Sequence, residues 1–148
     1  MNKKILPPSC LMLFLFLSIS AHFIFPVRKY VNWPFSCIGL LFIGIGIWLN
    51  IWADNLFHKY NTTVKPFEKP THFIEEGPFL FSRNPMYLGM LAILIVVAVL
   101  LGTITPFIVV VAQAIVTDMC FIRIEEEILE KTFDAGFFAY KRRVRRWI

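Results

Sequence analysis

No Cys-x-x-Cys, His-Glu-x-x-His, Gly-x-Gly-x-x-Gly or Gly-x-x-x-x-Gly-Lys-[Ser/Thr] occurs anywhere in this chain. Those absences remove the commonest sequence signals for a thiol or zinc centre, a zincin, a dinucleotide fold and a phosphate-cradling loop. Cysteine is scarce: Cys10, Cys37 and Cys120 lie in or beside apolar stretches with no ligand spacing. They form neither a disulfide framework nor a metal site and read as small core residues. Internal repeats and low-complexity segments are also missing, which excludes a solenoid or a linker. The net charge is +5, yet no aromatic RNA-binding or zinc-finger pattern accompanies it, so no nucleic-acid partner is expected.

What the chain has in excess is apolar residues, 57% of its 148, with 16 phenylalanines. Soluble domains run at about 45–50% apolar. The excess falls in four blocks, 9–25, 35–52, 85–101 and 106–122. Each is about 17–18 residues, the short end of what a membrane-crossing helix requires. The expected fold is therefore an all-α integral membrane protein, a single domain over 1–148 with about four transmembrane helices. A connector, 53–84, and a tail, 123–148, complete it. The last two blocks are separated only by Gly102-Thr103-Ile104-Thr105, with Pro106 suited to a first helical turn, which predicts a tight helical hairpin. Asn2-Lys3-Lys4 before an apolar run, with Ser18-Ile19-Ser20-Ala21 after it, also has the form of a signal peptide. Three further spans favour a retained helix.

Charge orients the helices. With the connector and both termini on one side, that side carries Lys3, Lys4, Lys59, Lys65, Lys69, Arg83, Arg123, Lys131, Lys141, Arg142, Arg143, Arg145 and Arg146. Only Arg28 and Lys29 fall on the other side. The positive-inside rule then puts the connector and both termini in the cytoplasm. Asn61-Thr62-Thr63 matches a glycosylation sequon, but a cytoplasmic loop does not meet that machinery.

The polar residues gather where the connector returns to the membrane, at GPFLFSRNPMYLG, residues 77–89. Asn84-Pro85 predicts a helix start, asparagine as N-cap and proline at the first helical position. Asn84 serves there as a cap or as a ligand contact. Arg83 stands beside the positive end of that helix, a place suited to an anion, or else snorkels to the headgroups. Counted from the middle of the hairpin turn, Arg83 and Glu125 each lie about 21 residues away, so at 1.5 Å per residue both emerge at one height. An α-helical wheel puts Asp118, Ile122, Glu125 and Leu129 on one face, Glu126 at its flank and Glu127 pointing away. Asp118, ionisable within a span, is a functional candidate or one half of a helix-joining ion pair. Phe133, Phe137, Tyr140, Val144 and Trp147 recur at helical spacing opposite Lys141, Arg142, Arg143, Arg145 and Arg146. That pattern predicts a C-terminal amphipathic helix in the membrane interface, apolar stripe toward lipid and cations toward anionic headgroups. Together these clusters suit a zwitterionic ligand, its carboxylate on Arg83 and its ammonium on Glu125 or Glu126, in a pocket open to lipid.

NTTVKPF, GPFLFSRNPMYLG, FIRIEEEIL and AYKRRVRRWI, in this order and spacing, resemble the isoprenylcysteine carboxyl methyltransferase family, within the wider group that includes phospholipid methyltransferases. The likeness covers about residues 61–148. It implies a small bacterial-type, multi-pass enzyme of the inner membrane that binds S-adenosylmethionine near the cytoplasmic face and methylates a lipophilic acceptor. The family's Arg-His-Pro-x-Tyr-x-Gly motif falls on Arg83, Asn84, Pro85, Tyr87 and Gly89, its Glu-Glu pair on Glu125 and Glu126, and its closing Tyr and Arg residues on Tyr140, Arg145 and Arg146. The resemblance thus implies cofactor binding by these ten residues, with Arg83, Glu125 and Glu126 also catalytic, and no metal. Three positions depart from the pattern. Asn84 stands where the family has histidine, and an amide does not titrate near neutral pH. Gly-Pro-Phe-Leu-Phe replaces Gly-Pro-Tyr-Arg-Tyr, and Phe133-Asp134-Ala135-Gly136-Phe137 replaces Phe-Gly-x-x-Tyr. An NADPH-dependent reductase on a related scaffold and a non-enzymatic membrane protein are the alternatives.

Overall fold

A computed structural model describes residues 6–27, 38–63 and 67–148. Lys3, Lys4, Arg28, Lys29, Cys37 and Lys65, counted above, lie outside the described residues, as does the expected start of the second block at Phe35.

Five helices and no strand occur among the described residues. Helix α1 spans Pro7–Ile24 and α2 Ile38–Lys59. A single 3₁₀ turn, Gly77–Leu80, precedes α3, Pro85–Leu101. Helix α4, Thr105–Thr117, passes through a π turn at Asp118–Ile122 into α5, Arg123–Arg143. The last three segments run on from one another over 39 residues, Thr105–Arg143, with a kink at Asp134. Among the described residues, α1 and this long helix are long and apolar enough to cross a membrane, and α3 is equally apolar but shorter. The long helix is apolar only in its first half, to Ile122; Arg123–Arg143 continues it in polar sequence.

The hairpin forms as its turn chemistry dictates. Gly102 ends α3 in the left-handed region at φ 74°, donating its N–H to Ala98 O at 3.1 Å. A side chain there would be strained, so glycine stops the helix at least cost. Pro106 sits in the first turn of α4 as expected. The end of α1 is tied to this turn: Thr105 Oγ1 donates to Phe25 O at 2.6 Å, and His22 Nδ1 lies 2.8 Å from Thr103 Oγ1. At the opposite end, Leu6, Pro7 and Phe57 lie beside the start of α3. Helices α1 to α4 therefore alternate in direction, and the start of α1, the connector and the tail meet at one end.

Helices α2 and α3 cross closely because neither carries a side chain at the crossing. A Cβ on Gly89 would stand 2.1 Å from Asn50 Nδ2 and 2.9 Å from Gly46 O. Asn50 Nδ2 is itself spent on Gly46 O at 2.9 Å. Gly46 thus permits the close packing, whereas a Cβ on Gly44 would meet nothing within 4 Å. Outward, α1 and α2 present Met12, Phe16, Phe23, Ile45 and Trp48. Water would penalise such a continuous apolar surface and hydrocarbon would not.

The C-terminal segment differs from expectation. The helix is broken at Asp134, whose φ of 39° and ψ of −113° are non-helical, and a short helix follows the kink. Beyond the bend the aromatic stripe turns inward. Phe137 is 1% exposed and Tyr140 2%, and both pack on Phe73 of the connector. The stripe finds protein rather than lipid because the connector offers a facing aromatic surface that a wheel cannot display.

Candidate functional site

At the end where α1, the connector and the tail meet lies a cavity of about 310 Å3. Arg83, Asn84, Pro85, Tyr87, Glu125, Glu126 and Tyr140 all line it. Seven of the ten cofactor positions inferred from the sequence are thus brought together. The other three are not in the lining. Gly89 is buried against α2, where it permits helix packing. Arg145 is exposed and contributes its backbone carbonyl, which accepts from Arg83 N–H at 3.0 Å. Arg146 stands behind Glu126, half-buried, with its guanidinium on that carboxylate.

Arg83 is the central cation. Its side chain is 9% exposed, and Nη2 lies 3.2 Å from Glu126 Oε1. Nε and Nη1 are buried with no hydrogen-bond partner. A guanidinium presents five donors, and leaving two of its groups dry and unpaired is costly unless an anion meets them. The sequence set Arg83 level with Glu125; the glutamate that Arg83 contacts is the next one along, Glu126.

The π turn changes which glutamate is central. An α-wheel carries Asp118 onto Ile122 and Glu125; one extra residue in the turn carries it instead onto Arg123, whose Nε pairs with Asp118 Oδ2 at 2.9 Å. Glu126, expected at the flank, thereby joins Asp118 and is 4% exposed. Arg146 binds both, Nη2 to Glu126 Oε2 at 2.6 Å and Nη1 to Asp118 Oδ1 at 3.1 Å. Asp118 is accordingly an ion-pair anchor behind the cavity, the structural one of its two readings. Glu127 points away as expected, exposed and paired with Lys131.

Glu125 occupies a different environment. Tyr87 Oη donates to Glu125 Oε1 at 2.6 Å, and among the described residues no cation pairs with it. Burial pushes its carboxyl up to about 7, against the opposing pull of the Tyr87 hydrogen bond. Tyr140 donates to Phe79 O at 2.7 Å, and burial raises its hydroxyl above the usual phenol range.

Asn84 corrects the sequence reading. It precedes α3, and its carbonyl accepts the first helical bond from Leu88 N–H at 3.0 Å. Its side chain, however, makes no cap hydrogen bond. Nδ2 donates instead to Arg146 O at 3.1 Å. Pro85 supplies no N–H and holds a helical φ, so the start of α3 has less need of a side-chain acceptor. The amide was drawn away by a carbonyl that the tail delivers from 62 residues downstream.

Sequence reasoning missed the connector's share. His72, Phe73 and Ile74 line the cavity, and His72 stacks on Tyr60 at 4.5 Å between centroids. Thr62 Oγ1 fixes their approach by accepting from the N–H groups of Thr71 and His72 at 3.0 and 3.3 Å. No periodic pattern marks these residues, so no local signal announced them.

Glu126 and Arg146 balance one another, Arg83 retains two donor groups, and Glu125 offers a carboxyl with a raised proton affinity. Phe73, Phe79 and Phe137 make part of the cavity lining aromatic. Such a site suits a small ligand with both an anionic and a cationic group. No curated protein and no solved structure matches the chain. A family model described as phospholipid methyltransferase matches residues 35–136, which include Arg83, Glu125 and Glu126 and stop short of Tyr140. The match spans well over half of the sequence, and the chain belongs to the phospholipid methyltransferase family.

Proposed function

We propose that the protein is an S-adenosylmethionine-dependent methyltransferase acting on a membrane-borne, lipophilic acceptor. In this reading it is a four-span protein with its cavity and both termini at the cytoplasmic face. One observation carries the proposal: Arg83 lies buried at the cavity wall with Nε and Nη1 unpaired. Those donors fit a carboxylate, and Glu125, which pairs with no cation among the described residues, is the carboxyl left to meet an ammonium. Family membership supports methyl transfer at a membrane.

The cofactor would bring a methyl group already activated on a sulfonium. The chain's own work is then positional. Arg83 and the start of α3 hold the carboxylate, and to the extent that the aromatic lining of Phe73, Phe79 and Phe137 limits water it disfavours the charged ground state relative to neutral product. Met86 and Met90 of α3 with Pro7 of α1 and Leu6 just before it give the acceptor an apolar wall. In-line approach to about 3–3.5 Å is the main requirement. A carboxylate or thiolate acceptor requires no base. An amine or hydroxyl must lose a proton, and Glu125 takes it, since Glu126 and Asp118 are committed to arginines.

Equilibrium binding of S-adenosylmethionine and of NADPH to the detergent-purified chain tests this. We expect the first to bind and the second not. Arg83→Ala should weaken binding by roughly 1.5–3 kcal/mol, the range for hydrogen bonds to charged groups. Glu127→Ala, on the exposed face, should leave it unchanged. NADPH binding without S-adenosylmethionine binding would point to a reductase, and binding of neither to a non-enzymatic protein.

A further inference from the structure

The C-terminal residues clasp the segment before α3. Arg83 N–H donates to Arg145 O at 3.0 Å, Ser82 Oγ to Arg146 O at 3.3 Å, and Asn84 Nδ2 to the same carbonyl at 3.1 Å. Ser82 and Asn84 are both buried, so these bonds form out of water, where losing one is most costly. The clasp fixes the Arg146 backbone at a point from which its guanidinium reaches Glu126 and Asp118.

The consequence falls on Arg83. Glu126 has two oxygens and a strong preference for a paired, forked contact with a guanidinium. Arg146 supplies that contact, Nη2 to Oε2 at 2.6 Å and Nε to Oε1 at 3.3 Å. Arg83 reaches the same carboxylate through Nη2 alone, and its other donors stay open. Without Arg146, Arg83 would be the nearest cation to Glu126 among the described residues and would close on it with Nε and Nη1, which now have no partner.

We infer that Arg146 and Asn84 are positioning residues: Asn84 holds the tail so that Arg146 neutralises Glu126, leaving Arg83 free for a ligand carboxylate. This extends the cofactor reading above and rests on it. Neither residue need touch the carboxylate. Asn84 does through the tail what its place beside the helix start suggested it did directly.

Two probes separate positioning from mere structure. S-adenosylhomocysteine carries the amino-acid carboxylate; 5′-methylthioadenosine shares the nucleoside thioether and lacks it. Equilibrium dialysis with the full-length, detergent-purified chain should find Arg146→Ala and Asn84→Leu each weakening S-adenosylhomocysteine by roughly tenfold, the loss of one hydrogen bond to a charged group. Both should leave 5′-methylthioadenosine unchanged, which also reports that the variants are folded. Asn84→His retains a ring N–H for the Arg146 carbonyl and should restore tight binding. Hydrogen exchange at the Arg83 amide, bonded to Arg145 O, should quicken in Asn84→Leu and not in Asn84→His. Equal weakening of both probes would assign the clasp a structural role and overturn the inference. So would unaltered S-adenosylhomocysteine binding in Arg146→Ala alongside a loss in Arg83→Ala. If Arg83→Ala itself changes nothing, the cofactor reading falls and takes the inference with it.

Discussion

Glu125 and Glu126 are neighbours in sequence with opposite circumstances. Glu126 is buried between two arginines, so its charge is met on both sides. Glu125 is given only the Tyr87 hydroxyl, and burial pushes its carboxyl up to about 7. The sign of the consequence follows from linkage: a folded-state value above the ordinary one near 4.5 means that the native state prefers the neutral carboxyl. Its contribution to stability is full below about pH 4.5 and is lost as pH rises through about 7. Thermal unfolding in detergent across pH 4–8 should therefore show the native chain losing stability over that interval relative to Glu125→Gln, which cannot ionise. Parallel pH profiles for the two would show that Glu125 is not in a desolvated place. Below pH 7 the neutral carboxyl also cannot accept a proton, so methylation of an amine acceptor should rise with pH over the same interval. A carboxylate acceptor should show no such rise.

At the scale of elements, the fold depends on two glycines and one extra residue. Helices α2 and α3 approach until Gly46 and Gly89 touch through backbone. In Gly89→Ala the new methyl meets Asn50 Nδ2 at 2.1 Å and Gly46 O at 2.9 Å, and the helices must separate. Overpacking of this kind costs about 1–3 kcal/mol. Thermal unfolding should show the loss in Gly89→Ala. Adding Asn50→Ala should recover only part of it, because the clash with the Gly46 carbonyl remains. Full recovery would mean that the side chain, not the backbone crossing, sets the helix distance. The extra residue is the π turn at Asp118–Ile122, which shifts every later face by one position and makes Glu126 the partner of Arg83. The hairpin itself was legible because Gly102 and Pro106 act locally. A π turn leaves no comparable mark: nothing in Asp118-Met119-Cys120-Phe121-Ile122 forbids a regular helix, and the ion pair of Asp118 with Arg146 forms only when the tail is in place.

For the whole molecule, the alternating helices gather the start of α1, the connector and the tail at one end, and the basic residues concentrate there. The charge distribution predicts that this end is cytoplasmic. Reporter fusions at residues 68 and 148 should read as cytoplasmic, and those at 30 and 104 as extracytoplasmic. An extracytoplasmic reading at 148, or a mature chain cleaved near Ala21, would overturn the four-span arrangement. The sequence by itself determined what depends on local chemistry: apolar blocks fit to be helices, a hairpin stopped by glycine and restarted by proline, and an arginine and two glutamates at one height above its turn. The tertiary structure alone decided what depends on residues far apart. It turned the aromatic stripe toward Phe73 rather than lipid, assigned Gly89 to helix packing, drew Asn84 from its helix to Arg146 O, and left Arg83 with open donors. The reason is the reach of the interactions. Turn and helix-end preferences act over a few residues and so can be read along the chain, whereas a hydrogen bond or ion pair goes to whichever partner the folded chain brings nearest.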